Sequence, residues 1–206
     1  MIILFVYGIQ TQSNTNSNKS NNIDVIGGNG YTICSGSWDK RICIWDIETT
    51  KQIIVFKGHK NYVNSIKYGS NKLVNIGGSN TTLSGSDDKS VRLWDIRYGK
   101  QIQIFNGHKH IVWAVEYSPF VLKNKVSGSS NVICSGSKDN TIRFWDIRSN
   151  KKELYLINGD KNEDNGIHCL KFISLKKKIK DNKQKSDDCI VSLCYGSEKG
   201  LIRVWK

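Results

Sequence analysis

The sequence predicts an all-β fold built from four copies of one hairpin unit. The clearest copy reads LSGSDDKSVRLWDIR at residues 83–97, with ICSGSWDKRICIWDI before it and ICSGSKDNTIRFWDI after it. A shorter version, CYGSEKGLIRVW, ends at Trp205. Each copy places two β-branched runs around a tight polar turn, which is the pattern of a β-hairpin. The copies show no helical period, and self-similarity at a regular spacing indicates a repeat architecture.

Four strands, here called a, b, c and d in chain order, are expected in each unit. Strand a is predicted at residues 5–8, 66–69, 115–118 and 170–173. Strand b is predicted at residues 31–35, 81–84, 132–135 and 189–195. Strand c ends each time on a tryptophan, namely Trp45, Trp94, Trp145 and Trp205. Strand d is predicted at residues 52–56, 101–105 and 153–157, and the fourth unit has no strand d.

These strands divide the chain into one domain of four units, at residues 1–57, 58–106, 107–158 and 159–206. The tryptophans lie 49, 51 and 60 residues apart, which is longer than the ~40–45 residues typical of the commonest four-stranded repeat. The extra residues fall between strands a and b. They include a low-complexity Asn/Ser-rich loop at 10–22 and a Lys-rich loop at 174–188. Insertions in one type of connection predict one irregular face and one regular face.

The chain is strongly basic, with 31 Lys and Arg residues against 18 Asp and Glu residues and a formal net charge of +13. Such an excess permits an acidic partner, such as nucleic acid, an anionic membrane surface or an acidic protein patch. Much of the lysine is scattered beside Asn in loops along the whole chain, which a general compositional bias explains equally well. Nucleic acid is therefore kept as an alternative partner that the charge alone does not favour.

The cysteines predict reduced thiols and no metal site. No two of them have CxxC spacing, and their intervals match no zinc pattern; they are Cys34, Cys43, Cys134, Cys169, Cys189 and Cys194. This predicts an intracellular protein, cytoplasmic or nuclear. No phosphate-binding GxxxxGK[ST] loop is present and no cofactor is expected. No apolar run approaches the length of a membrane span.

Two dipeptides recur in register with the hairpins. A Gly-His pair begins the second and third units, at Gly58-His59 and Gly107-His108. A Trp-Asp pair lies at the end of strand c in the first three units, at Trp45-Asp46, Trp94-Asp95 and Trp145-Asp146. With these marks and the SGSxD turn, residues 2–206 resemble the WD-repeat β-propeller family. The resemblance implies a β-propeller of four-stranded antiparallel blades, with about four blades and the last lacking its outer strand.

The fourth unit departs from the family pattern at four positions. It has Gly159-Asp160 for Gly-His, Tyr195 for the strand-b Ser, Lys199 for the turn Asp, and Lys206 after its Trp.

The resemblance assigns the recurring polar residues to a structural hydrogen-bond network. In this network the turn Asp accepts from His, His bonds the strand-b Ser, and Ser meets the Trp indole N–H. The positions are His59, Ser84, Asp88 and Trp94, then His108, Ser135, Asp139 and Trp145, with Ser35, Asp39 and Trp45 in the first unit. A His, Ser and Asp set also resembles a catalytic triad, but it occurs twice with similar spacing and triads are defined by geometry. No enzymatic activity is therefore expected.

The resemblance places partner contacts on the face that carries the b–c turns and the d–a loops. The matching positions vary in charge and size while the frame around them repeats, as expected of a binding face on a repetitive scaffold. They are Trp38, Tyr62, Asn64, Asp87, Ile111, Trp113, Lys138, His168 and Glu198. The expected function is a non-catalytic interaction scaffold for peptide or protein partners, as a subunit of a larger complex.

The number of units leaves the closure of the ring open. Propellers close with typically four to eight blades, and four units without one strand leave two unpaired sheet edges, which favour aggregation. The chain is expected to be a fragment of a longer one. Two alternatives are self-association of copies and a small ring closed by the first strand a.

Overall fold

The structure is a computed structural model that describes residues 5–6, 32–69, 81–119, 131–148, 153–176 and 189–205. This part of the chain forms fifteen strands in four antiparallel sheets and has no helix. The sheets are called blades 1 to 4 in chain order. For these residues, the prediction of an all-β chain whose last sheet has one strand fewer is confirmed.

Each blade is a meander in which successive strands are neighbours. Blade 1 contains β1 (Phe5–Val6), β2 (Thr32–Gly36), β3 (Arg41–Asp46) and β4 (Gln52–Lys57). Blade 2 contains β5 (Val63–Tyr68), β6 (Thr81–Ser86), β7 (Ser90–Asp95) and β8 (Lys100–Asn106). Blade 3 contains β9 (Val112–Tyr117), β10 (Val132–Ser137), β11 (Thr141–Asp146) and β12 (Glu153–Asn158). Blade 4 contains β13 (Ile167–Lys176), β14 (Cys189–Ser197) and β15 (Ile202–Trp205).

The core lies between blades rather than within them. Blades 1, 2 and 3 each bury one face against the next blade. The face that a blade turns toward the next one is here called its outgoing face, and the opposite face is its incoming face. Between blades 1 and 2 the buried residues are Cys34, Ile42, Ile44 and Phe56 against Val63, Ile66, Trp94 and Ile96. Between blades 2 and 3 they are Leu83, Val91, Leu93 and Phe105 against Val112, Val115, Ile133 and Trp145. The junction of blades 3 and 4 includes Cys134, Ile142 and Phe144 against Ile167, Leu170, Leu193 and Tyr195.

A glycine on strand b lets the blades approach this closely. A Cβ on Gly36 would lie 2.7 Å from Ile66 Cδ1, and one on Gly85 would lie 2.7 Å from Val112 Cγ1. Such contacts are closer than packed carbon atoms tolerate. The glycine of the SGS turn motif is therefore needed for packing between blades.

The turns that join strands b and c share one backbone feature. Lys40, Lys89, Asn140 and Gly200 occupy the same turn position with φ of 72°, 68°, 63° and 85°. This left-handed conformation is favourable for Gly and Asn and costs a lysine roughly 1 kcal/mol. The turn Asp before this position caps the turn, as where Asp88 Oδ1 accepts from the backbone N–H of Ser90 at 3.1 Å.

Two sequence predictions about strand position need correction. Val6, not Phe5, lies opposite Ser35, just as Ile66 lies opposite Ser84. The alignment of Phe5 with Ile66 was therefore wrong by one residue, because both Phe5 and Val6 are apolar and a short strand does not fix its own register.

β13 extends through Lys176 by pairing with β14, so the Lys-rich loop predicted at 174–188 begins later. Residues 177–188 and the low-complexity loop at 10–22 lie outside the described residues.

Candidate partner-binding face

A continuous chain of hydrogen bonds links strand c, strand b and the turn of blade 2. Trp94 Nε1 donates to Ser84 Oγ at 2.8 Å, and Ser84 Oγ lies 2.7 Å from His59 Nε2. His59 Nδ1 lies 2.9 Å from Asp88 Oδ2. When Nδ1 carries the proton, Trp94 donates, Asp88 accepts, and Ser84 and His59 each donate once and accept once. Every polar group in this chain then has a partner, as a buried polar network requires.

The same chain occurs in blade 3. Trp145 Nε1 donates to Ser135 Oγ at 3.0 Å, His108 Nε2 lies 2.8 Å from that oxygen, and His108 Nδ1 lies 2.9 Å from Asp139 Oδ2. The carboxylate also accepts from the backbone N–H of Lys109, as Asp88 does from Lys60. The network therefore ties the b–c turn to the loop that enters the blade.

The His, Ser and Asp geometry in blade 2 has the order of a catalytic triad, but its serine is inaccessible. Ser84 has no exposed surface, and its oxygen already contacts the indole of Trp94 and the imidazole of His59. A nucleophile must reach a substrate carbonyl, and no substrate contacts a fully buried hydroxyl. The role of this hydrogen-bonded set is therefore structural. The set of Trp94, Ser84, His59 and Asp88, and its counterpart in blade 3, is called the lock from here on.

Protonation of the lock follows from burial. Burial lowers the pKa of His59 more than Asp88 raises it, so the imidazole is neutral at pH 7. Burial opposes ionisation of Asp88, but the contacts with His59, Ser90 and the Lys60 N–H outweigh it and hold the pKa of that carboxyl well below its usual range. The pKa of Asp139 is lowered in the same way.

Blade 1 keeps only part of the network. Trp45 Nε1 donates to Ser35 Oγ at 2.8 Å. Asp39 is exposed, and its Oδ2 accepts from two donors of Arg41, Nε at 2.8 Å and Nη2 at 2.5 Å. Asp39 therefore does not join the lock within the described residues, and its prediction as a network member needs this correction. Residues 1–58 contain no histidine, so this stretch offers no counterpart of His59 or His108 to bind Asp39.

Blade 4 replaces the lock with a carboxylate that the sequence did not single out. Asp164 is fully buried; its Oδ2 accepts from the backbone N–H of Asp160 at 2.6 Å and from Tyr195 Oη at 3.4 Å. Arg203 Nε donates to Asp164 Oδ1 at 2.8 Å, and Arg203 Nη2 donates to Glu163. One signal in the sequence pointed to this site: Arg203 precedes its Trp by two positions, as Arg92 and Arg143 do.

The b–c turns lie against the loops that enter each blade, which forms the face predicted to bind partners. The backbone N–H of Asp87 donates to the carbonyl of Tyr62 at 2.9 Å, and that of Lys138 donates to Ile111 at 2.9 Å. Glu198 donates in the same way to Gly166 at 3.0 Å. The variable turn residues are therefore held at fixed positions by their own backbone.

Two stacked ring pairs cross the junctions between blades on this face. Trp38 of blade 1 stacks on Tyr62 of blade 2 with ring centroids 5.0 Å apart and planes 12° apart. Trp113 of blade 3 stacks on His168 of blade 4 with centroids 3.6 Å apart and planes 20° apart. Lys138 Nζ lies 5.6 Å from the centroid of Trp113, within cation–π range. Sequence reasoning selected these residues individually, and the structure brings them together in pairs.

Rings from both pairs line a cavity of about 340 Å³. Four of the predicted face residues line it, namely Trp38, Asn64, Trp113 and His168. Asn64 Nδ2 donates to Asp87 Oδ1 at 2.6 Å and to the carbonyl of Val112 in the next blade at 3.1 Å. The Asn64 amide thus holds the Asp87 carboxylate in place and links blade 2 to blade 3.

The other predicted positions lie around this cavity rather than in its lining. Glu198 is exposed and accepts from Asn165 Nδ2 at 2.9 Å. Ile111 is half-buried, and it is tied into the face through its backbone carbonyl.

The innermost strands contribute lining residues that sequence reasoning missed. Lys67 lines the cavity and lies 3.0 Å from Glu116 of the next blade, and Lys171 of blade 4 lies 4.0 Å from the same carboxylate. These residues share one position on strands β5, β9 and β13, opposite Leu83, Cys134 and Cys194. The alternation of side chains along strand a was the available signal.

Neither a metal centre nor a membrane span is indicated in the part of the chain that the structure describes. Its His, Cys, Asp and Glu side chains form no group of three that could hold a metal ion. The same residues include no helix long and apolar enough to cross a membrane.

Comparisons with known proteins identify the family. The sequence profile of the WD domain, G-beta repeat, matches residues 15–46, 50–95 and 99–146. A search of curated proteins finds no match. Among solved structures, the computationally designed Ika4 protein, a designed propeller, is similar with a TM-score of 0.58 and 24% identity, over 84% of each chain. At that identity the likeness shows the fold alone, and it confirms the predicted β-propeller class. Because the repeat profile covers more than half of the residues, the chain belongs to the WD-repeat family.

Proposed function

We propose that the chain is a non-catalytic interaction module that binds a peptide or protein segment over the face formed by the b–c turns. WD repeats are generally protein-interaction scaffolds and generally lack catalytic activity, which supports this proposal. The observation that carries it is a pair of ring stacks, Trp38 on Tyr62 and Trp113 on His168, that contribute three rings, all but Tyr62, to the lining of one cavity.

The geometry suits a peptide side chain better than a small charged ligand. Two indole rings, those of Trp38 and Trp113, line the cavity, and Trp and Tyr are among the residues that most often dominate binding energy. Tyr62 is 39% exposed, so a partner would cover apolar area that water now contacts. The rings already stack on neighbouring blades, so binding orders few additional rotamers and loses little entropy.

The test begins with peptides selected from a display library against the immobilised chain. Dissociation constants of selected peptides are then measured for the wild type and for the Trp38→Ala/Trp113→Ala variant. We expect binding to weaken about tenfold to a hundredfold, the range of hot-spot aromatics. Tyr98→Ala is the matched control, because Tyr98 is 69% exposed and lies in the turn that follows β7, away from the cavity lining.

Circular dichroism of both variants shows whether the fold is kept. Equal affinities for wild type and the double variant, with the fold intact, would count against this face. The nucleic-acid alternative rests on net charge, and residues 177–188, which hold most of the Lys-rich segment, lie outside the described residues.

A further inference from the structure

The outgoing face of blade 4 is built like the other three outgoing faces but is exposed. Position by position, Ile42, Val91 and Ile142 are at most 1% exposed, whereas Ile202 at the same register is 80% exposed. Ile44, Leu93 and Phe144 are at most 5% exposed, whereas Val204 is 56% exposed. Two β-branched residues thus occupy junction positions that nothing in the described part of the chain covers.

Gly196 supports the same interpretation independently. In blades 1 to 3 the strand-b glycine admits a side chain of the following blade: Gly36 faces Ile66, Gly85 faces Val112 and Gly136 faces Ile167. Gly196 has the same register, opposite Ile202, yet a Cβ there would meet only the Sγ of Cys169 in its own blade. Blade 4 therefore keeps the space for an incoming blade.

Blade 1 carries the complementary incoming face. Ile47 is 41% exposed, whereas its counterpart Ile96 is 4% exposed in the junction of blades 1 and 2. Trp45 is half-buried, whereas Trp94 and Trp145 are 1% exposed. The pairing of β1 with β2 places Val6 at the register that Ile66, Val115 and Leu170 occupy in the other blades.

We propose that the outgoing face of blade 4 binds the incoming face of blade 1 of a second copy of this chain. Each of the three internal junctions joins these two kinds of face, so the same contact between copies continues an interface that the fold already uses. Two copies present two such pairs, and a head-to-tail pair closes when its rotation completes a ring. Eight blades lie within the range in which propellers close.

The proposal is independent of partner binding at the turn face, because it uses side chains that do not line that cavity. The experiment measures the mass of the 206-residue chain by sedimentation equilibrium over a dilution series. We expect a reversible dimer of twice 23.4 kDa. Ile202→Asp and Ile47→Asp should each weaken the dimer at least about tenfold, because each places a charge in an apolar junction.

Mixing the two variants tests the head-to-tail arrangement. In a mixed pair one junction carries both aspartates and the other junction carries none, so association should be stronger than for either variant alone. Ile102→Asp is the control, because Ile102 is 50% exposed on the outer strand β8 and belongs to no junction. This variant should dimerise like the wild type.

Three results would overturn the proposal. The first is a wild-type mass of one chain at every concentration, and the second is dimerisation that Ile202→Asp leaves unchanged. The third is an open polymer whose mass keeps rising, since the head-to-tail contact would then fail to close. Thermal unfolding of each variant checks that the exposed substitutions leave the monomer folded.

Discussion

Ser84 Oγ joins two rings of blade 2, lying 2.8 Å from Nε1 of Trp94 and 2.7 Å from Nε2 of His59. All three side chains are buried. One hydroxyl therefore satisfies a donor on strand c and an acceptor on the loop that enters the blade, and both would be left without a partner if it were removed.

We expect Ser84→Ala to lower the free energy of unfolding by about 1–3 kcal/mol, the cost of leaving buried polar groups unsatisfied. Ser135→Ala should cost a similar amount. Ser35→Ala is the matched control and should cost less, because Trp45 is half-buried and no histidine contacts Ser35 in the described residues. Urea unfolding followed by tryptophan fluorescence gives the three values. Equal costs at all three serines would contradict the role assigned to the histidines.

The lock also predicts how stability depends on pH. The folded pKa of His59 lies below the unfolded value of about 6.5, so its contribution is complete above that pH and declines as the unfolded chain takes up the proton. Asp88 and Asp139 have folded pKa values well below the unfolded value of about 3.9, so their contribution is lost as pH falls below about 4.

Thermal midpoints measured between about pH 7.5 and about pH 3 should therefore fall in two steps. Asp88→Asn should shrink the lower step, because an amide cannot be protonated in that range. A midpoint that stays constant across the interval would show that these groups do not titrate differently in the folded and unfolded chains.

The sequence was sufficient to predict the lock in blades 2 and 3 because its members keep similar spacings within each repeat. It was insufficient for Asp164, since the loop that enters blade 4 has a different length and offers no aligned position for a new carboxylate. The sequence also selected Trp38 and Tyr62 separately. Their stacking depends on how two blades approach each other, which no pattern within a single repeat reports.

Asp164 should matter to blade 4 as the lock matters to blade 2. We expect Asp164→Ala to cost about 1–3 kcal/mol, because it leaves the Asp160 N–H and Tyr195 without their acceptor. Glu163→Ala is the control: Glu163 is exposed and binds the same Arg203, and surface ion pairs contribute about 0–1 kcal/mol. Urea unfolding gives both free energies. Equal losses for the two variants would mean that the buried carboxylate of Asp164 stabilises the fold no more than the exposed one of Glu163.

The close packing of successive blades predicts that Gly→Ala lowers the free energy of unfolding more at Gly85 than at Gly196. Gly85→Ala places a Cβ 2.7 Å from Val112 and 3.0 Å from Val115, so we expect a loss of about 1–3 kcal/mol from overpacking. Gly196→Ala should cost less, because the new carbon meets only Cys169 Sγ, which can rotate away. Urea midpoints are compared at a concentration where the mass is that of one chain.

A second substitution identifies the cause. Val112→Ala removes the methyl groups that Gly85→Ala would strike, so the double variant should lose less than the sum of the single losses. The losses in free energy of unfolding from Val112→Ala and Gly196→Ala should instead add, because these two positions are not in contact. Additive losses for the Gly85 pair would show that the glycine serves the turn backbone rather than the junction between blades.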